Sequence, residues 1–451
     1  MQTKVYDILG IGIGPFNLSL AALAEPLDGL ECLFVDAGAG FDWHPGMLLE
    51  SSRLQTPVMS DLVTMADPTS RYSYLNFAKQ TGRLYSFYIR ESFFLPRQEY
   101  NLYCQWVCAE LSNLKFNFKV TRVSFDAETD TYLVRGQDRV SGQEQSLRAR
   151  HLVLGTGTQP WMPHFCPGAD KRVLHSANYL HRKQALQSQN DITIVGSGQS
   201  AAEIFEDLLL DIDKYGYRLR WLTRSPRFFP LEYTKLTLEM TSPEYIDYFH
   251  ALPEAQRREL IGSQKSLYKG INADLINSIY DLLYQKRLHC DFDVQLLTNT
   301  ALQSVHSDGQ QLLLGCRHTE LEQEFELTSS ALVMATGYCY RLPDFLEPLH
   351  SQLLFDQKGE PDVQRHYHID KAGRIFVQNL GLHTHGLCSP DLGMGCYRNA
   401  TILRQILGEA PYEIEQQIAF QSFGIPKQGS SAPKAPKRQG SINQELQREA
   451  S

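Results

Sequence analysis

Twice in this chain a short apolar strand runs straight into a glycine-rich turn that opens a helix, and this repeat limits the fold more than any other feature. In the first instance Val5-Tyr6-Asp7-Ile8-Leu9 leads into Gly10-Ile11-Gly12-Ile13-Gly14-Pro15, after which Phe16, Leu18, Leu20, Leu23 and Ala24 recur at helical spacing. A second strand, Glu31-Cys32-Leu33-Phe34-Val35, ends in Asp36, 24 residues after Gly12. In the other instance Asp191-Ile192-Thr193-Ile194-Val195 runs into Gly196-Ser197-Gly198-Gln199-Ser200-Ala201 and an apolar helix through Leu210, and the next strand, 218–223, ends in Arg224. Each is a βαβ unit whose glycines let backbone N–H groups approach a pyrophosphate at a helix start, where the dipole favours negative charge. Pro15 costs nothing at the first helical position, because its missing N–H would be unpaired there. One such turn can exist for packing alone. Two, in order and with different second-strand ends, predict two nucleotide sites.

The ends differ in charge. Asp36 can accept hydrogen bonds from ribose hydroxyls and suits an adenosine with a free 2′-OH, as in FAD. Arg224 would pair a 2′-phosphate and favour NADPH over NADH, its competing use being a surface salt bridge. Residues 151–157 and 331–337 read as strands closing on near-identical turns, each returning the chain to one of the two sheets. Residues 44–110 are rich in aromatics with few long periodic segments. Residues 231–285 read as mainly helical, with a start at Ser242-Pro243 and an amphipathic helix from Asp274 to Tyr284. The expected fold class is therefore α/β, with two Rossmann-like domains for FAD and NADPH and a smaller, mainly helical substrate region. The predicted division is 1–165 and 335–426 for FAD, 166–230 and 291–334 for NADPH, and 231–290 for the substrate region. The Gly-, Ser-, Pro-, Gln- and Lys-rich tail, 427–451, is expected to be disordered.

Composition excludes several alternatives. With 451 residues, 42% of them hydrophobic, the chain can bury a large core. No run approaches the roughly 18 apolar residues of a membrane span, and Asp7 with its neighbouring glycines interrupts what a secretion signal would need, so a cytoplasmic protein is expected. A net charge of −8 argues against general nucleic-acid binding and is compatible with a cationic small substrate. Nine scattered cysteines form no CxxC pair, which disfavours a disulfide scaffold or a thiol redox centre. The pairs His366/His368 and His383/His385 lack a carboxylate or third ligand at metal spacing, and no metal is expected.

Beyond the two glycine turns, Trp43-His44-Pro45-Gly46-Met47, Leu54-Gln55, Asp61-Leu62-Val63, Asp67-Pro68-Thr69, Ala335-Thr336-Gly337-Tyr338 and Thr384-His385-Gly386-Leu387 stand in order along the chain. Through these segments, together with Gly10 to Leu18 and Gly196 to Ala201, the sequence resembles the flavin-dependent N-hydroxylating monooxygenases of siderophore biosynthesis, over about residues 5–405. The resemblance implies that NADPH reduces FAD, that O2 is activated as a C4a-hydroperoxyflavin, and that a neutral primary amine takes one oxygen atom. It places Gly10, Gly12, Gly14, Pro15, Asn17 and Asp36 at FAD. It sets Trp43, His44, Met47 and Gln55 around the isoalloxazine, with Gln55 and His44 as the catalytic candidates. Gly196, Gly198, Gln199, Ser200 and Arg224 are implied at NADPH, and Thr336, Gly337, His385, Gly386 and Leu387 also at cofactors. A homo-oligomer, dimer or tetramer, is implied as well.

The substrate is read from departures. Amino-acid hydroxylases of this resemblance carry a Lys where this chain has Ser60 and Leu-Ser where it has Leu392-Gly393, and the ornithine hydroxylases among them carry Asn at the positions of Leu238 and Leu267. Without a buried cation and two amides, an α-carboxylate would be desolvated and unpaired, at a cost of several kcal/mol. A diamine has no carboxylate. Putrescine is the first expectation and cadaverine the second, with Glu239 or Asp61 to accept the distal ammonium. Ser60, Leu238, Glu239, Leu267 and Gly393 are thus the expected substrate residues. The alternative is an L-lysine N6- or L-ornithine N5-monooxygenase in which Arg53 or Lys79 replaces the missing Lys.

Overall fold

A computed structural model describes residues 4–425 apart from 169 and 290; the tail expected to be disordered, 427–451, lies outside the described residues. The strand Val5–Ile11 sits between two parallel neighbours, Ile8 and Ile11 pairing with Cys32 and Val35 on one side and with His151 and Leu154 on the other. The sheet continues outward to Leu114–Lys115 beyond Cys32–Val35, and through the antiparallel strands Thr131–Asp138 and Phe118–Asp126 beyond Glu144–Leu154. Far downstream, Ile375–Val377 returns to this sheet in parallel with Glu144–Leu154. The helix Pro15–Ala24, buried along almost its whole length, packs against the C-terminal helix Gly395–Leu407.

The second sheet is parallel throughout, in the order Val294–Leu297, Arg218–Leu222, Asp191–Val195, Ala331–Met334, Val173–His175. Both returning strands expected from the sequence therefore lie directly beside the strand that enters a glycine turn. Their near-continuous apolar runs are what strands covered on both faces require. Helix Gln199–Tyr215 buries Ile204, Phe205, Leu208 and Ile212 on this sheet and stops at Gly216, whose φ of 70° supplies the left-handed cap. An antiparallel layer, Thr300–Ser307, Leu312–His318 and Gln323–Ser329, packs through Val305, Leu312 and Leu314 on Leu222, Leu332 and Met334. The two chain crossings between the sheets run side by side, Gln159–Pro160 pairing with Tyr338–Cys339.

Ser242 caps the helix Pro243–Ala251 by accepting from Tyr245 N at 3.2 Å, and the helix expected from Asp274 spans Ala273–Arg287. The helical stretch builds no core of its own. Tyr245, Ile246 and Phe249 join the core beneath the first sheet, whereas Leu275, Ile276 and Ile279 pack with the helix of the second. Short helices with one apolar stripe must bury it on a larger neighbour, and these find two different ones. The aromatic stretch 44–110 is more regular than its sequence suggested, since Arg97–Glu110 is a helix burying Tyr100, Tyr103, Cys104 and Val107. Among the described residues no helix is long and apolar enough to cross a membrane.

Candidate active site

The first glycine turn opens onto a cavity of about 1060 Å³. Gly12 has φ 91°, and a Cβ there would lie 2.3 Å from the Gly155 carbonyl, so neither the conformation nor the space admits another residue. Gly14 caps the helix, and a Cβ there would meet nothing within 4 Å, because it points into the cavity. Asn17 ties the turn together, its Nδ2 donating to the carbonyls of Gly12 at 2.8 Å and Val153 at 3.2 Å. Its Oδ1 is buried and has no partner among the described residues. Asp36 accepts from Ile13 N at 2.7 Å and Gly38 N at 2.6 Å, which fixes its carboxylate at the wall. A glycine cradle and a fixed carboxylate around so large a space fit FAD. Gly10 is a correction: a Cβ there would meet the Phe34 ring at 2.0 Å, so this glycine makes room for a neighbouring strand and not for a ligand.

The second turn repeats the construction. A Cβ at Gly196 would stand 2.4 Å from Ala335 O, and Gly198 caps the helix that begins Gln199-Ser200. Thr336 and Gly337 lie beside this turn, with Gly337 O accepting from His175 Nε2 at 2.9 Å. Arg224 is exposed and forms no ion pair among the described residues, so the competing surface salt bridge is not what occupies it. Burial, then the charges of Lys265 and Arg224, lowers the Lys269 pKa, which places three cations together at this end of the sheet. The two lysines belong to a loop distant in sequence, and the motif gave no sign of them. This cluster fits the 2′-phosphate of NADPH.

The two halves meet through buried polar contacts. Arg97 pairs with Glu203 at 2.8 Å, with side chains 14% and 2% exposed, and Gln199 Nε2 donates to the same carboxylate at 2.9 Å. Gln55 Nε2 lies 3.4 Å from both Gln199 Oε1 and Gly270 O. It stands in the wall of a cavity of about 600 Å³ facing the second turn and of a smaller one of about 240 Å³. Trp43, Pro390 and Leu392 are shared by the small cavity and the large one, so the small cavity adjoins the flavin space. His44, at φ 55°, lines the large cavity with its ring 5.1 Å from that of Trp43 and 5.7 Å from that of Tyr338. Desolvation, reinforced by Arg97, lowers its pKa to about 4, so the ring is neutral at pH 7.

The small cavity is walled by Leu54, Leu231, Leu238, Leu267, Leu387 and Leu392, with Asp391, Tyr233 and Thr56 among them. Leu238 and Leu267, two of the expected substrate residues, both line this cavity. Ser60 stands behind Gly393, whose Cβ would come within 3.2 Å of Ser60 Oγ. Other expectations need correcting. Glu239 faces away at the surface, accepting from Phe420 N at 2.9 Å and Gln421 N at 3.1 Å. Asp61 is buried and serves its own turn, accepting from Thr64 N and Tyr74 N at 2.7 Å each. Met47 is packed in the core of the second sheet's helices, away from the flavin cavity. His385 is wholly buried, stacked on Tyr367 at 4.5 Å, and Gly386 packs on Phe249; both shape the loop behind the cavity. Leu387 lines the small cavity and not the large one. Lys79 lies exposed on the helix Tyr74–Gln80, whereas Arg53 does reach the small cavity. Asp391 escaped the sequence reading because an aspartate before a short turn looks like a cap, and its signal is the pairing with Gly393.

His383 lies near Asp356 and Glu360, carboxylates that the sequence did not bring to it; Arg258 occupies these at 2.6 and 2.7 Å.

A profile of the L-lysine 6-monooxygenase/L-ornithine 5-monooxygenase family matches residues 4–340. Putrescine N-hydroxylase of Shewanella oneidensis is 64% identical over 423 residues, covering 94% of this chain and 85% of that protein. The FAD-bound cadaverine monooxygenase of the desferrioxamine pathway of Erwinia amylovora superimposes with a TM-score of 0.93 at 55% identity, over 94% of this chain and 100% of that one. An ornithine N-hydroxylase of Kutzneria with reduced FAD, NADP+ and L-ornithine gives 0.84 at 25% identity, over 90% and 99%.

Proposed function

Because this chain belongs to the L-lysine 6-monooxygenase/L-ornithine 5-monooxygenase family, and is a FAD- and NADPH-dependent N-hydroxylating monooxygenase, we propose that its substrate is a linear diamine, putrescine ahead of cadaverine, for siderophore biosynthesis. The observation that carries this reading is the small leucine-walled cavity, which among the described residues has no free buried cation in its wall. Arg97 is already paired with Glu203, and Leu238 and Leu267 offer nothing to a carboxylate. Leaving an α-carboxylate there unpaired costs several kcal/mol. A tetramethylene or pentamethylene chain, by contrast, is stabilised by apolar contact.

When bound, NADPH supplies hydride and FAD activates O2 for transfer of one oxygen atom. The protein's own residues then have three tasks. Gly12, Gly14, Pro15, Asn17 and Asp36 hold the flavin nucleotide, and Gly196, Gly198, Gln199, Ser200 and Arg224 hold the nicotinamide nucleotide. Trp43, Pro390 and Leu392 form the junction of the two cavities and keep it apolar, which strengthens the polar contacts inside. Gln55 offers an amide between the NADPH side and the substrate side, and His44, neutral at pH 7, packs beside the flavin without adding a charge. The amine, with an ordinary pKa near ~10.4, must reach this space without its proton. In this reading 1–165 and 335–426 serve FAD, 166–230 and 291–334 serve NADPH, and 231–290 the substrate side. The free thiols among the described cysteines support a cytoplasmic setting. The exposed Tyr85, Tyr88, Ile89 and Phe93 support self-association.

One observation favours the second reading, an amino-acid substrate: Arg53 reaches the wall of the small cavity. NADPH oxidation and hydroxylamine formation, measured in parallel for putrescine, cadaverine, ornithine and lysine, separate the two. Hydroxylated diamine with inert amino acids is expected; hydroxylated lysine or ornithine would transfer the reading to Arg53.

A further inference from the structure

We propose that the Asp391 carboxylate holds the distal ammonium of the diamine and so makes the enzyme select diamines over monoamines of equal length. The proposal rests on the diamine reading above and adds the residue that enforces it.

Asp391 is one of two carboxylates in the wall of the leucine-lined cavity. The other, Glu232, is exposed and accepts from Ser266 Oγ at 3.0 Å, so water and a neighbour already satisfy it. Asp391 is half-buried. Backbone N–H groups of Gly393 and Met394 donate to it, the former at 2.6 Å, and among the described residues it forms no ion pair. The buried cation that acts on it, Arg398, spends its guanidinium on Ser389 O and on Gln378 Oε1 at 3.3 Å. Capping the turn Leu392–Met394 does not need a charge, since Asn or Ser would accept the same hydrogen bond. A carboxylate drawn partly out of water without a paired counter-ion calls for a cationic partner. Burial pushes the Asp391 carboxyl upward, against the hydrogen bonds from Gly393 and Met394 and the charge of Arg398, and a cation in the cavity would oppose that shift further.

Gly393 completes the argument. A Cβ at this position would stand 2.9 Å from Asp391 Oδ1 and 3.2 Å from Ser60 Oγ. A side chain here would press on both groups and disturb the turn that holds the carboxylate, which gives a reason for the glycine that the sequence alone could not. Leu238, Leu267, Leu387 and Leu392 supply a methylene-compatible path in the same cavity, which adjoins the flavin space through Trp43 and Pro390.

The test compares putrescine with butylamine in the FAD-loaded full chain, reading hydroxylamine formed and the kcat/KM of each. Asp391→Asn keeps the Oδ1 acceptor for the turn and removes the charge. It is expected to lower kcat/KM for putrescine about 10–100-fold, mainly through KM, the scale of one charged hydrogen bond, and to leave butylamine much less affected. Asp391→Glu keeps the charge but lengthens its arm by one methylene, and is expected to shift the preferred diamine from four carbons toward three. An unchanged putrescine KM in Asp391→Asn overturns the proposal. So does an equal loss for both amines, which would mark Asp391 as an acceptor for the reacting amine's proton, and so does a loss of diamine preference in Glu232→Gln instead. If the unmodified enzyme hydroxylates lysine or ornithine and not putrescine, it is the diamine reading that falls.

Discussion

Arg224 shows what one residue at the end of a strand can decide. It is exposed, unpaired among the described residues, and close enough to Lys269 to depress that lysine's pKa. A charged hydrogen bond of about 1.5–3 kcal/mol to a 2′-phosphate corresponds to roughly 10–100-fold in binding. Arg224→Ala should therefore raise the KM for NADPH by about that factor while changing the KM for NADH little, in steady-state assays with both donors. Equal effects on both donors would remove its assigned role. Residues of this kind were legible because a glycine turn and a strand-end charge are local patterns. Leu238 and Leu267 were legible for a different reason, as losses of polarity at aligned positions. Asp391 was not, because its meaning depends on an enclosed wall assembled from segments near 54, 233, 267 and 391. Glu239 misled for the converse reason: nothing local reveals that its carboxylate turns to Phe420 and Gln421.

At the scale of elements, the join between the nucleotide-binding halves depends on helix Arg97–Glu110 meeting helix Gln199–Tyr215. Their contact is the buried Arg97–Glu203 pair at 2.8 Å, with Met47 O accepting from Arg97 Nη1 at 3.2 Å. Removing one partner leaves the other charged and enclosed, which costs about 3–5 kcal/mol, far more than an exposed pair. Arg97→Met should lower stability in urea by about that amount, and Arg97→Met combined with Glu203→Gln should recover most of it. A loss below ~1 kcal/mol in the single variant would show that the halves are held by other contacts. The βαβ units and their return strands could be read from sequence because strands enclosed on both faces and glycine turns are unambiguous. The helix bearing Arg97 could not, since its stripe is Tyr100, Tyr103, Cys104 and Val107 within an otherwise polar run. Aromatic and sulfur side chains at helical spacing give a weaker periodic signal than aliphatic ones. The same limit hid the division of 231–290 between two cores, which is set by what each helix meets and not by its own pattern.

Across the whole molecule, many histidines are held neutral. Burial lowers the pKa of His44, His151, His175, His250, His366, His368 and His385, with His44 at about 4. His385 is wholly enclosed, 5.2 Å ring to ring from His250, with the charges of Arg365 and Arg398 further opposing its protonation. A base whose folded pKa is depressed binds fewer protons folded than unfolded. Its contribution is complete above the unfolded value near ~6.5 and is lost as pH falls from there toward the folded value. Carboxylates held low, such as Asp170 at about 2, lose theirs only below the unfolded value near ~3.9, and buried acids pushed upward, such as Asp61, act in the opposite sense. Between pH 6.5 and 5 the histidines therefore set the slope. A histidine that stays neutral when folded costs about 0.7 kcal/mol per pH unit at pH 6.5, rising to about 1.4 near pH 5 as the unfolded imidazole becomes fully protonated. The FAD-loaded enzyme should show a Tm that falls steadily from pH 7 to 5 at fixed ionic strength. His385→Asn should lower the Tm at every pH yet make the fall shallower, because one proton fewer is taken up on unfolding. That change of slope is independent of any packing lost with the ring. A Tm that is level or rising toward pH 5 would mean that acids such as Asp61 and Asp391 outweigh the buried imidazoles. Since His250 and His385 lie behind Gly386, Leu387 and the chain leading to Asp391, the first structure to loosen in acid should be the wall of the substrate cavity, read as a rising KM for diamine ahead of flavin release.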